Sequence, residues 1–113
     1  MFSVVLGVVL WASVPGARGD LALLDSLSHS AFRYFWEQSH PTTGFTKDRA
    51  RNSAEGDPYH IASVAATGFA LAAYPIGAER TWVSREAALE RTVRTLEALR
   101  DAAPKERGWF YHW

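Results

Sequence analysis

The first apolar run extends from Phe2 to Ala12 and is almost uninterrupted. It is shorter than the roughly 20 residues that span a membrane, and it fits the apolar part of a secretory signal peptide. Small residues at Ala17 and Gly19 predict cleavage before Asp20. Residues 1–19 are therefore predicted to be a signal peptide, with an exported, periplasmic or extracellular mature chain and no stable membrane span. No Lys or Arg precedes the run, and a buried strand or core helix is the alternative interpretation.

The next segment combines a helical pattern with a long polar stretch. Asp20 is a favoured N-cap residue, and a helix is predicted from there to about Gln38. Its apolar residues recur at helical spacing, at Leu24, Leu27, Ala31, Tyr34 and Phe35. From His40 to His60 the apolar period is absent, which predicts a loop. A loop of this length in a compact domain is commonly functional or disordered.

A second helix is predicted from about Ile61 to Tyr74, ended by Pro75 and Gly77. It has apolar residues on every side and carries no charge. Such a helix must be buried all round, and Phe69 is assigned to the core, together with Trp36 of the first helix.

Ser84 is predicted to cap a third helix, from about Arg85 to Ala102. It has one predicted apolar stripe, formed by Leu89, Val93, Leu96 and Leu99. Charged pairs are expected on its solvated side, Glu90 with Arg94 and Glu97 with Arg100. The chain continues through an aromatic cluster, Trp109–Trp113.

These elements predict an all-α fold of about three helices with a long loop after the first. Three helices can bury a shared seam, but they cannot enclose one of their number on every side. Alternation of amphipathic outer helices with an apolar inner helix is the pattern of an α/α double ring. Residues 20–113 are therefore expected to be the N-terminal part of a larger fold.

Composition excludes several classes of protein. The 12 basic and 12 acidic residues give a net charge of zero, which argues against a nucleic-acid partner. The chain has no cysteine, so disulfides, thiolate zinc sites and cysteine nucleophiles are excluded. Its four histidines have no ligand spacing, so neither a metal nor a cofactor is expected.

Five motifs occur in order and resemble the opening of the glycoamylase-like family of glycoside hydrolases, which includes endo-β-1,2-glucanases. They are FRYFWE (32–37), TGFTKDR (43–49), IASVAATGFAL (61–71), WVSREA (82–87) and GWFYHW (108–113). The resemblance implies an (α/α)6 toroid of which this chain would supply roughly the first quarter. Phe45 and Trp113 stand where the family commonly has Leu and Phe, and both substitutions keep an apolar or aromatic side chain.

The resemblance also bears on the candidate site. Glycoside hydrolysis needs two carboxyl groups across the scissile bond. In the family the acid residues that do the chemistry follow the FYHW-type motif, so no catalytic residue is assigned among Asp48, Glu55 and Asp57.

Asp48 and Arg49 are candidates for sugar binding, because a carboxylate accepts sugar hydroxyls and a guanidinium donates to them at fixed geometry. The resemblance places them on a loop at the mouth of the ring. The alternative is a salt bridge that fixes the loop, either between the two or with Arg51.

Trp109, Tyr111 and Trp113 alternate along the chain and would face one side if extended. Their rings suit the apolar faces of glucose. The alternative is that the terminal aromatic residues pack between helices.

The expected function is that of an N-terminal fragment of a secreted glycoside hydrolase acting on a β-glucan oligosaccharide or polysaccharide, β-1,2-glucan being one candidate. The fragment would supply a substrate-binding loop and aromatic residues but not the acid/base pair, and is expected to be inactive alone. The alternatives are a stand-alone helical carbohydrate-binding module and a self-associating module. Either the remainder of the toroid or self-association would cover the apolar helix.

Overall fold

The computed structural model describes residues 17–51 and 57–112. Three helices and one short hairpin follow one another along the chain: α1 (Ala17–Glu37), α2 (Val64–Glu79), α3 (Arg85–Asp101), β1 (Lys105–Glu106) and β2 (Trp109–Phe110). The predicted mainly helical fold is confirmed, and so is the irregular segment between α1 and α2, within its described residues. Most of the predicted signal peptide, residues 1–16, lies outside the described residues, and the signal peptide stays a prediction.

Helix α1 begins at Ala17, three residues before the predicted N-cap at Asp20. Asp20 instead lies in the first turn, where a negative charge interacts favourably with the helix dipole. The helix ends at Glu37, one residue before the predicted end.

Helix α2 begins at Val64, because the side chain of Ser63 accepts a hydrogen bond from the backbone amide of Ala66 and so caps the first turn. The predicted end at Tyr74 is wrong, since the helix continues through Pro75 to Glu79. A proline inside a helix removes one backbone hydrogen bond and costs about 3 kcal/mol. The buried neighbours Tyr74 and Gly77 offset this cost through their packing.

Helix α2 lies between α1 and α3, in contact with both. The core where they meet is built from Ala70 and Tyr74 of α2 and Ala88 of α3. Partly buried side chains pack around it: Phe35, Trp36, Leu71, Ala78 and Val83. Trp36 thus contacts the core as predicted, and its ring meets that of Tyr74 edge to face at 5.6 Å.

The assignment of Phe69 to the core is wrong for this chain, because 67% of the residue is exposed. The α2 residues covered by α1 and α3 are on another face, which carries Ala70 and Tyr74. Ile76 is exposed as well. Helix α2 is therefore not buried all round by the described residues.

The predicted bounds of α3 are confirmed to within one residue, and Ser84 caps it as expected. The prediction that its apolar stripe is the packed surface is wrong. Leu89, Val93 and Leu96 are exposed, and Leu99 is half-buried. The buried positions are Ala88 and Thr95. The packed face was missed because it consists of a small residue and polar residues, which do not form a hydrophobic period.

Of the two charged pairs predicted on α3, Glu90 and Arg94 form an ion pair. Arg100 instead donates two hydrogen bonds of 2.7 Å to its neighbour Asp101. Among the described residues no helix combines the length and the hydropathy that a membrane-spanning segment requires.

Candidate functional site

The candidate site lies where three chain segments meet beside the start of α2. Lys47 pairs with Ala62 in an antiparallel bridge. The amide of Asp48 donates to the carbonyl of Ile61 at 2.9 Å. At the first residue of α2, the amide of Val64 donates to the carbonyl of His112 at 3.0 Å. Residues 61–64 therefore connect the loop that carries Asp48 with the end of the aromatic cluster.

Asp48 and Arg49 form a loose ion pair, in which Arg49 Nε is 3.8 Å from Asp48 Oδ2. The Asp48 side chain is 27% exposed and that of Arg49 is 72% exposed. The guanidinium also lies over the ring of Tyr59, 5.0 Å from its centre. A partly exposed pair at this distance contributes little to stability. Arg49 is accessible to a ligand, and the half-buried Asp48 is accessible in part.

The backbone before Asp48 is fixed by α1. The hydroxyl of Tyr34 donates to the carbonyl of Lys47 at 2.7 Å. The amide of Lys47 donates to the carbonyl of Gln38 at 3.0 Å. The loop therefore has a defined register against the end of α1.

A group of buried hydroxyls holds the same loop from beneath. Thr46 is fully buried, and its Oγ1 lies 2.7 Å from Ser39 Oγ. The Thr46 amide donates to Thr67 Oγ1 at 3.1 Å. The Ser39 hydroxyl is also 3.2 Å from that of Tyr74. The contacts connect the loop to both α1 and α2, and each polar group is satisfied although it is removed from water.

Gly44 permits the close approach of the loop to α3. Its φ of +72° lies in the left-handed region, where a side chain is disfavoured. A Cβ at this position would overlap Thr95 Oγ1. Thr95 is itself fully buried and donates to the carbonyl of Arg91 at 2.8 Å. The loop therefore packs directly against α3.

Asp57 is part of the far side of the loop. Its carboxylate accepts hydrogen bonds from the amides of Tyr59, at 3.1 Å, and Arg51, at 3.2 Å. These bonds, the one from Tyr59 first, lower the pKa of Asp57, and the Lys47 charge 3.9 Å away acts in the same direction. A general acid needs a raised pKa, so this environment is unsuited to proton donation. Glu55 lies outside the described residues.

The predicted aromatic residues occupy different environments. Trp109 is 80% exposed and Tyr111 is 52% exposed, so packing between helices does not account for either of them within the described residues. Tyr111 and His112 line a small cavity of about 180 Å³ together with Phe45, Thr67 and Leu99. Trp113 lies outside the described residues.

The structure thus brings Asp48 and Tyr111 to segments that both contact residues 61–64. Trp109 belongs to the hairpin that precedes them, where Glu106 pairs with Trp109. Among the described residues, no group of three or more His, Asp or Glu could hold a metal ion.

Sequence reasoning missed the residues that hold the loop. Tyr34 was assigned to an apolar helix stripe, although a partly buried tyrosine commonly requires a partner for its hydroxyl. Ser39, Thr46 and Thr67 have no distinctive spacing, and their association depends on the three-dimensional path of the loop.

Comparison with known proteins finds relatives that this chain matches over only part of their length. No family model matches the chain. It is 34% identical over 83 residues to an exo-β-1,2-glucooligosaccharide sophorohydrolase that acts at the non-reducing end, from Parabacteroides distasonis. The match includes 74% of this chain and 11% of that relative.

Solved structures share the arrangement of the helices. A candidate glucoamylase from Bacteroides uniformis superposes with a TM-score of 0.71 at 32% identity, over 83% of this chain and 22% of the other. An endo-β-1,2-glucanase from Chitinophaga pinensis, solved with sophorotriose and glucose, gives a TM-score of 0.70 at 28% identity, over 81% of this chain and 22% of the other. The chain thus spans about a fifth of the length of these structures. The resemblance to the glycoamylase-like glycoside hydrolases is confirmed, and the chain corresponds to part of their (α/α)6 toroid.

Proposed function

We propose that this chain contributes a glucan-binding surface to a glycoside hydrolase of the glycoamylase-like type. Asp48 and Arg49 bind sugar hydroxyls in this proposal. Trp109, Tyr111 and Trp113 provide rings for the apolar faces of glucose units. The observation that carries the proposal is the shared contact of the Asp48 and Tyr111 segments with residues 61–64.

The β-1,2 linkage is the first candidate for the bound glucan. Two relatives, the sophorohydrolase and the endo-β-1,2-glucanase, are named for that linkage. Exposed polar and aromatic side chains together suit a carbohydrate, because a sugar presents both hydroxyls and apolar C–H faces.

Hydrolysis is expected to need carboxyl groups from outside this chain. A glycosidase places two carboxyl groups across the scissile bond and keeps one of them protonated by a raised pKa. The lowered pKa of Asp57 disfavours that role. The purified chain should therefore bind a glucan without cleaving it.

The test is a calorimetric titration of the purified chain with sophorotriose, with β-1,4-linked cellotriose as the matched control for linkage. We expect binding of sophorotriose and no release of sugar from β-1,2-glucan. Absence of binding would contradict the glucan-binding role, and sugar release by the chain alone would show that it holds its own acid/base pair.

The exposed apolar residues of the helices favour burial against further protein. They include Phe69 and Ile76 of α2, and Leu89, Val93 and Leu96 of α3. In this proposal the remainder of a toroid covers these faces. Analytical ultracentrifugation distinguishes the alternatives: a stable monomer would favour a stand-alone carbohydrate-binding module, and a defined oligomer would favour self-association.

Export is also part of the proposal, on the evidence of the apolar run before residue 13. Expression with a C-terminal tag in a bacterial host, followed by fractionation and N-terminal sequencing, tests it. An exported chain should begin at Asp20, whereas a cytoplasmic chain with an intact Met1 would exclude the signal peptide.

A further inference from the structure

We infer that Tyr34 is a positioning residue for Asp48, holding the backbone immediately before the carboxylate in the orientation that presents it to a sugar. The inference rests on the proposed glucan-binding function, since that function gives Asp48 its role. Tyr34 is in the last turns of α1 and has no assigned part in binding.

The geometry concerns a single peptide unit, the one that joins Lys47 to Asp48. Its carbonyl oxygen accepts a hydrogen bond of 2.7 Å from the Tyr34 hydroxyl. Its amide donates a hydrogen bond of 2.9 Å to the carbonyl of Ile61. Both polar atoms of this unit are therefore bonded, on opposite sides, to two different parts of the fold. Because a peptide unit is planar, holding its two ends fixes the direction in which the chain enters Asp48.

The two partners are themselves well placed. Tyr34 projects from a helix, and its ring meets that of Phe35 edge to face at 5.4 Å, which restricts its movement. Ile61 lies one residue before Ala62, which forms the bridge with Lys47. The helix and the segment leading into α2 thus hold the Lys47–Asp48 peptide between them.

The surroundings of Tyr34 favour the protonated, hydrogen-bond-donating form of its hydroxyl. Burial, followed by the negative charge of Asp48, raises the pKa of Tyr34. A phenol is protonated at neutral pH even at its ordinary pKa, and the raised pKa extends the range in which it can donate to the Lys47 carbonyl. It does not touch the sugar in this arrangement, and its effect passes through the backbone of Asp48.

The experiment replaces one hydroxyl at a time. Tyr34→Phe removes the donor to the Lys47 carbonyl. Thr92→Val is the control, because it also removes one part-buried hydroxyl that donates to a backbone carbonyl, that of Ala88 at 2.8 Å within α3, and it is not bonded to the Asp48 loop. Affinity for sophorotriose is measured by calorimetry in both variants, with thermal unfolding measured in parallel.

We expect Tyr34→Phe to weaken sophorotriose binding about threefold to tenfold, the range that the loss of one neutral hydrogen bond implies. Thr92→Val should change the affinity by less than about twofold on the same scale. Equal loss of affinity in the two variants, in proportion to their stability, would overturn the inference because it would show a general structural effect.

A double-mutant cycle with Asp48→Asn tests whether Tyr34 acts through Asp48. If it does, Tyr34→Phe should cause little further loss in the Asp48→Asn background. Additive losses would overturn the inference. If the original chain binds sophorotriose and Tyr34→Phe binds it with unchanged affinity, the inference is overturned while the proposed function stands. Absence of binding by the original chain would overturn the proposed function and this inference with it.

Discussion

Arg91 of α3 stacks on the indole ring of Trp36 at the end of α1, with its guanidinium carbon 3.8 Å from the ring centre. Arg91 also donates a hydrogen bond to the Trp36 carbonyl. The cation thus lies at the C-terminal end of α1, where the helix dipole favours positive charge. Through this single side chain, α3 stabilises the end of α1 from which the loop begins.

Replacing Arg91 with lysine should destabilise the chain by about 1–2 kcal/mol, because the ammonium group cannot both stack on the ring and donate in the same plane. Urea unfolding monitored by tryptophan fluorescence measures the change. Arg107→Lys is the control, since the Arg107 side chain is 90% exposed and should give a change near zero. Equal stability of the Arg91→Lys and original chains would contradict a specific role for the guanidinium.

Gly44→Ala should destabilise the chain by about 2 kcal/mol or more, because the left-handed φ and the overlap with Thr95 both oppose a Cβ. Gly108→Ala is a matched control, having a φ of +87° but open space around its Cβ position. The difference between the two variants in urea unfolding measures the contact with Thr95. A double variant with Thr95→Ala should recover part of the loss, and no recovery would show that backbone strain accounts for all of it.

Two glycines in α2 should respond to alanine in opposite directions. A Cβ at Gly77 would overlap the Phe32 ring, and Gly77→Ala should destabilise the chain by about 1–3 kcal/mol. At Gly68 nothing lies within 4 Å, and Gly68→Ala should stabilise it by up to about 1 kcal/mol through helix propensity. Thermal unfolding of both variants checks this, and a destabilising Gly68→Ala would reveal a contact at that face.

Asp48→Asn should weaken sophorotriose binding about tenfold, since hydrogen bonds to a charged group contribute about 1.5–3 kcal/mol. Under the proposed function, in a complete glycoside hydrolase that contains this chain, the substitution should alter substrate binding more than the chemical step, because it removes charge but no proton donor. Asp25→Asn is the control, because Asp25 pairs with Arg80 at 2.7 Å and lies outside the loop. A large fall of kcat, about 10⁴-fold, at constant KM would instead identify Asp48 as a chemical residue.

The hydrogen bonds to Asp57 predict a dependence of stability on pH. Its folded pKa is below the ordinary value of 3.8, so its contribution to folding is fully present above about pH 4 and is lost as the pH falls through the lowered pKa. In urea unfolding, the original chain should be more stable than Asp57→Asn at pH 7, and the gap should narrow below pH 4. A gap independent of pH would show that the charge of Asp57 contributes nothing.

The capped helices and the irregular loop were predictable because local signals determine them. Ser84 and the residues after it specify the start of α3 through side chains within one turn. The end of α2 was not predictable in the same way, because the packing of Tyr74 and Gly77 against other elements outweighs the local effect of Pro75. The burial of Thr95 was not predictable from local sequence either, because it depends on the close approach of Gly44, which is distant in sequence.

For the candidate site, residue type selected Asp48 and Arg49 as candidates, but it did not predict the residues that support their loop. The Tyr34 hydroxyl reaches Lys47 only because the loop folds back along α1. The hydrophobic period of a helix shows which of its sides is apolar, but it does not predict the hydrogen bond that a single tyrosine hydroxyl forms.

The buried contacts of Thr46 have a consequence for the order of events during synthesis. Its partners Ser39 and Thr67 lie beside α1 and on α2, and the same loop packs against Thr95 of α3 at Gly44, so these contacts are complete only once α3 has left the ribosome. Chains generally fold in units as they are made, N-terminal parts first. The proposed sugar-contacting loop should therefore form as soon as the three helices are made, while the apolar residues that α2 and α3 expose are still uncovered.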